Sequence, residues 1–124
     1  MTNGDTTENV NAIIERIFAD FTVDGQKIPV NFLRYEGHDE PYVVYTPEEK
    51  TGVLRADDEV QGFVQNVYFG VYSKSNYNNI VEALKSKLIE NGFMWQPEGD
   101  MEDLYNDDTG YYIKVMSFAI ERST

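Results

Sequence analysis

The sequence has no cysteine and a single histidine, His38, among its 124 residues. Without thiols there is no disulfide scaffold, no thiolate zinc site and no cysteine nucleophile, and one imidazole cannot build a His cluster for a metal or a proton relay. Basic residues are also scarce. Ten Lys plus Arg stand against 22 Asp plus Glu, a formal net charge of −12 with a pI near 4.3, so nonspecific binding to DNA, RNA or anionic membrane is opposed by repulsion. No apolar run approaches the ~20 residues that span a bilayer, and the polar start, Met1 to Asn11, lacks a basic-then-apolar signal pattern. The expectation is a soluble product, cytosolic when made. The nine glycines are scattered singly through turns, which leaves neither a Walker loop nor a Gly-x-Gly-x-x-Gly fingerprint.

What the chain does have is enough apolar residues, 41% with 14% aromatic, for one hydrophobic core and one domain spanning residues 1–124. Val10, Ile13, Ile14, Ile17, Phe18 and Phe21 recur at i, i+3, i+4, i+7 and predict an amphipathic helix near Thr7 to Phe21, capped by Thr6 or Thr7. Residues 1–6 have nothing to bury and are expected to fray. Pro29 to Tyr35 reads as a strand, and Tyr42-Val43-Val44-Tyr45 as a second that returns antiparallel to it. Residues 46–59 are too polar for core and read as a long excursion or floppy hairpin. From Phe63 to Tyr72 both faces alternate: Phe63, Val67, Phe69 and Val71 point one way, interrupted by Gln65, and Val64, Tyr68 and Tyr72 the other. A second helix follows, Asn76 to Asn91, with Tyr77, Ile80, Val81, Leu84 and Leu88 as its stripe and Asn91-Gly92 as its stop. Phe93 to Gln96 is a short strand, residues 97–110 a polar loop, and Tyr111 to Glu121 a long closing strand.

The order α-β-β-β-α-β-β with short connections predicts an α+β two-layer sandwich, an antiparallel sheet with both helices on one face. The other face stays partly open. Tyr35, Tyr42, Tyr45, Tyr68, Tyr72, Tyr111 and Tyr112 all fall in predicted strands, more than one buried face needs. They suit a surface that an assembly covers, or they are half-exposed residues chosen for β-propensity.

Tests for chemistry return little. His38 sits in the turn-like Gly37-His38-Asp39-Glu40-Pro41 with no base or nucleophile beside it. Glu98, Asp100, Glu102, Asp103, Asp107 and Asp108 come with no Lys or Arg between Pro97 and Gly110, so hard-oxygen cation binding is one reading. Counting an EF-hand loop back from Gly110 puts Tyr105 at its first position and Met116 at its twelfth, so the match fails at both ends. A solvated, self-repelling loop is the plainer account. No enzyme, metal or cofactor is expected.

Four stretches together resemble the tail terminator or tail-to-head joining (tail completion) proteins of long-tailed bacteriophages. They are the opening amphipathic helix; the run Val67-Tyr68-Phe69-Gly70-Val71-Tyr72-Ser73-Lys74-Ser75-Asn76-Tyr77 from strand into helix; Leu88-Ile89-Glu90-Asn91-Gly92-Phe93; and Asp107-Asp108-Thr109-Gly110-Tyr111-Tyr112-Ile113-Lys114. The resemblance implies a virion protein of the head–tail junction, made in the host cytoplasm. It implies a ring, typically of six copies, that caps the tail tube and meets a head-completion (stopper) protein while DNA passes through without specific binding. On that reading the expected assembly interface comprises Glu48, Glu49, Lys50, Arg55, Asp100, Glu102, Asp103, Asp107 and Asp108 on two polar arms, with Tyr68 and Tyr72 on the sheet. A neighbouring minor tail or head-completion role fits the same pattern. The rival from another class is an acidic DNA mimic that blocks a DNA-binding enzyme.

Overall fold

The computed structural model describes residues 9–34, 40–56 and 59–123, with side chains for all of these except 49–56, 59–61 and 123. The described chain runs α1 (Val10–Ile17), β1 (Thr22–Val23), β2 (Gln26–Lys27), β3 (Val30–Phe32), β4 (Tyr42–Ala56), β5 (Glu59–Ser73), α2 (Asn78–Glu90), β6 (Met94–Trp95), a 3-10 turn (Pro97–Gly99), β7 (Leu104–Asn106) and β8 (Tyr111–Ser123). This is the expected α+β, two-layer arrangement. The main sheet has the order β3-β4-β5-β8-β6, with β7 paired to β8, and β1 and β2 form a separate hairpin.

Asn9, not Thr6 or Thr7, caps α1: its side chain accepts from the Ala12 N–H at 2.9 Å. The helix is shorter than its periodicity suggests, because Phe18 and Phe21 stay buried in the turn that follows it. Thr6, Thr7 and residues 1–6 lie outside the described residues. The α2 helix ends as its sequence indicates. Gly92 takes φ +93°, the Phe93 N–H donates to the Leu88 carbonyl and the Gly92 N–H to that of Ile89, the paired bonds of a Schellman stop.

Both helices cover one face of the sheet. Val10, Ile13 and Ile14 of α1 and Ile80, Val81, Leu84 and Leu88 of α2 share one core with Val43 and Tyr45 of β4, Val67, Phe69 and Val71 of β5, and Met116 and Phe118 of β8. Phe69 is its centre. Its ring lies 5.7 Å from Phe118, 6.0 Å from Tyr45, 6.3 Å from Phe18 and 6.4 Å from Phe93, spacings at which edge-to-face pairs add to burial.

Three expectations need correction. First, the sheet is mixed. β3 runs parallel to β4, with Val30 opposite Val43 and Phe32 opposite Tyr45. Its three residues extend only about 10 Å, so the connection from Leu33 to Pro41 is long enough to bring the chain back to the starting end. Second, of the two readings of residues 46–59 the excursion fails and, among the described residues, the hairpin holds: β4 continues to Ala56, pairing Thr46 with Tyr68, Lys50 with Gln65 and Ala56 with Glu59. Register shifts between Pro47 and Lys50, Lys50 and Gly52, and Leu54 and Arg55 break the period-two pattern that announces a strand. The polarity there does not mark a loss of pairing. Third, residues 97–110 hold the 3-10 turn and β7, which pairs Leu104 with Ile113 and Asn106 with Tyr111.

Leu84 is fully buried on α2, whereas Ile89 on the same helix is 54% exposed. Replacing Leu84 with Ala is expected to cost about 2–5 kcal/mol, and Ile89→Ala no more than about 0.5 kcal/mol. Urea denaturation of the two variants measures both.

Candidate assembly interface

Strand alternation gives β5 two unlike sides. Its odd positions face the helices, and its even positions, Asn66, Tyr68, Gly70 and Tyr72, face away. Register places Tyr42, Val44 and Thr46 of β4 and Ile113, Val115, Ser117 and Ala119 of β8 on that same open side, with Tyr111 at the next β8 position. Met94 and Leu104 extend it through β6 and β7. None of these side chains is charged, in a chain where charged residues make up 26%. Glu121, opposite Val64, is the first carboxylate met along β8.

The tyrosines at one end of this face are organised. Tyr42 and Tyr72 stack with ring centroids 4.9 Å apart and planes within 6°. Tyr111 meets them edge-on at 5.7 and 6.4 Å, and the Lys74 ammonium lies 5.3 Å from the Tyr111 centroid. Tyr72 leans over Gly70, where a Cβ would meet its ring at 3.3 Å, so the glycine is what lets the ring lie against the sheet. Of the seven strand tyrosines, then, the described structure places Tyr42, Tyr68, Tyr72 and Tyr111 on the open face. Tyr45 points into the core at 1% exposure, where burial, and then the charge of Glu15, push its hydroxyl pKa up. Tyr112 belongs to the helix side, opposite Ser73, and Tyr35 lies outside the described residues.

The acidic segment is not a free arm. Gln96 and Met101 donate backbone N–H groups to the Ser117 and Val115 carbonyls at 2.8 and 3.1 Å, which lays the segment along the edge of β8. Asp100 closes that contact, accepting from the Ser117 N–H at 2.9 Å and from the Trp95 indole at 3.0 Å. Gly99 crosses so near that a Cβ would lie 2.8 Å from the Ser117 Cβ. On the helix side, Asp103 accepts from the Tyr77 hydroxyl and sits 3.0 Å from the Lys114 ammonium. These bonds, from Tyr77 first and then Lys114, hold the Asp103 carboxyl below its ordinary pKa. Burial and the same bond push the Tyr77 hydroxyl up to about 12. The reading of this segment as solvated loop is thus corrected for Asp100 and Asp103. Glu98, Glu102, Asp107 and Asp108 are exposed.

The expected interface residues do not form one site. Tyr68 and Tyr72 sit in the open face, and the carboxylates ride on the strap along β8. Glu48 lies farther along β4, its carbonyl accepting from the Gln65 amide. Lys50 pairs with Gln65 and Arg55 with Val60, the latter pair about 40 Å along β5 from Tyr72; the side chains of Glu49, Lys50 and Arg55 lie outside those described. The strand tyrosines named from the sequence as suited to a covered surface include Tyr42 and Tyr111, but the expected interface keeps only Tyr68 and Tyr72 of them and omits Val44, Ile113 and Val115, although the uncharged alternation of β8 is a readable signal. Among the described residues no group of three His, Cys, Asp or Glu side chains is placed to hold a metal ion, and His38 lies outside them. No protein-family model matches the chain, and no curated protein is significantly similar to it in sequence.

Asp100→Ala leaves the Ser117 N–H and the Trp95 indole without their acceptor and is expected to cost about 1–3 kcal/mol. Neutralising Glu102, Asp107 and Asp108 together is expected to stay within about 0.5 kcal/mol. Trp95 fluorescence during urea unfolding reads both. The Tyr77–Asp103 bond sets a pH window by linkage. Because the Asp103 pKa is depressed in the fold, its contribution is present above the unfolded carboxylate value, about 4, and is lost as pH falls further. Because Tyr77 is raised to about 12, its contribution is full below the unfolded value of about 10 and is lost as pH climbs from there. The stability difference between the parent and Tyr77→Phe should therefore be flat between about pH 5 and 9 and shrink on either side.

Proposed function

We propose that this chain is a structural subunit of a long-tailed bacteriophage, closing into a ring that caps the tail tube and presents the tail side of the head–tail junction. The observation that carries the proposal is the open sheet face: an uncharged, tyrosine-rich surface on a molecule of net charge −12. Interface cores are depleted of charge and enriched in aromatic residues, and large apolar patches left on a soluble protein mark contact sites. The long β4–β5 hairpin, paired on its other side by β8 as far as Gly62 opposite Ser123, gives each subunit a stiff extension to reach a neighbour or the tube. Glu98, Glu102, Asp107 and Asp108 stand outward from the strap. In a ring they would repel DNA phosphates and let the genome slide past, or meet a basic surface on the stopper protein.

An acidic DNA mimic explains these carboxylates equally well. It leaves the uncharged face without a use, and two of the six acids of the segment are engaged internally by Trp95, Ser117, Tyr77 and Lys114. The assembly reading accounts for both surfaces.

The test is to mix the purified protein with tail tubes of the cognate phage and image the ends by electron microscopy. Rings seated on tube ends, with tube growth arrested, are the expected outcome. Bare ends together with tight, salt-sensitive inhibition of a DNA-binding enzyme would favour the mimic instead.

A further inference from the structure

An uncharged face needs an apolar counterpart, and the chain exposes one of its own. At the end of β3, Phe32 and Leu33 are 44% and 54% exposed. Leu33 occupies φ +65°, and the Arg34 N–H donates to the Phe32 carbonyl at 2.7 Å across it, which makes Leu33 the centre of a γ-turn with positive φ, a rare and strained conformation. The Leu33 N–H is itself tied to the Tyr45 carbonyl at 2.9 Å, so the turn is fixed to the sheet. A leucine is a poor residue for left-handed backbone, where Gly or Asn would relieve the strain, and its side chain gains little burial in return. Strain held at an exposed apolar residue points to use of that residue elsewhere.

We infer that the Phe32–Leu33 turn of one copy docks on the open sheet face of the next, against Val44 and Val115 and beside Tyr68 and Tyr72. The inference rests on the ring reading and names the two patches that would build it. Two arguments select a second copy as the occupant. Like-charged copies at net charge −12 can approach closely only across a surface without opposed carboxylates, and this face is such a surface. A basic partner would be drawn to the acidic strap and hairpin and would find no counter-charge on the face.

The contact is heterologous: one patch meets a different patch on the neighbour, and such contacts close into rings or run on as filaments. Face-to-face pairing of two open faces would leave Leu33 in water.

Native mass spectrometry of the full chain over a range of concentrations, with two kinds of variant, tests this. Leu33→Gly suits the positive φ and should melt no lower than the parent, yet the concentration needed for assembly should rise at least about tenfold. Val115→Lys places a charge on the face and should have the same effect; Tyr68→Lys repeats that test at an independent position. Mixed in equal amounts, Leu33→Gly, which keeps its face, and Val115→Lys, which keeps its turn, should form a one-to-one pair that neither forms alone. If the parent assembles and Leu33→Gly assembles equally well, or if the mixture stays as two monomers, the turn-to-face contact is overturned while the ring survives. A parent that stays monomeric at every concentration and leaves tail tubes uncapped contradicts the ring reading itself.

Discussion

The structure depends on the position of Phe69. Its ring contacts α1's trailing turn through Phe18, the partner strands through Tyr45 and Phe118, and the residue that stops α2 through Phe93. Fixing that ring toward the helices fixes the register of β5, since a slip of one residue would send every side chain to the other face. Tyr68, Gly70 and Tyr72 are thereby committed to the side the helices do not cover. The open face is thus a consequence of how the core is built, and what evolution could choose was its chemistry: tyrosines, small residues and aliphatics, with no charge.

The acidic strap shows the same economy in a different place. β8 would otherwise present a free edge beside β5, and edges invite unwanted pairing. The segment from Gln96 to Asn106 covers it with backbone bonds to Val115 and Ser117, the Asp100 clamp and the short β7 pairing. Covering the edge with a carboxylate-rich strand also surrounds it with negative charge.

Much of this was legible in the sequence wherever one physical rule acted alone. The period-3.6 stripe of α2 and its Asn-Gly stop, and the strict alternation of β5 and β8, gave element type and facing correctly. The sequence misled where two rules competed. In residues 46–56 the strand is held by pairing to β5, while bulges erase the alternation. The parallel sense of β3 depends on a tertiary return path that no local pattern records. Asp100 and Asp103 looked like members of a charge run because their partners, Trp95, Ser117, Tyr77 and Lys114, come from other elements, some more than ten residues away. The strain at Leu33 has no local signal: nothing in Phe32-Leu33-Arg34 marks a positive φ, since neither Gly nor Asn occupies the turn.

On the proposed reading, the open sheet face is covered by another copy of the chain. Hydroxyl-radical footprinting as a function of protein concentration addresses it most directly, because it oxidises exposed Tyr, Leu and Met side chains and reports each by mass. Tyr68, Tyr72 and Leu33 should lose reactivity together as concentration rises, while Ile89, on the outer side of α2 and 54% exposed, keeps its own. Reactivity that stays constant at Tyr68 and Tyr72 while the particle mass increases would contradict it, and would place the contact between copies on some other surface.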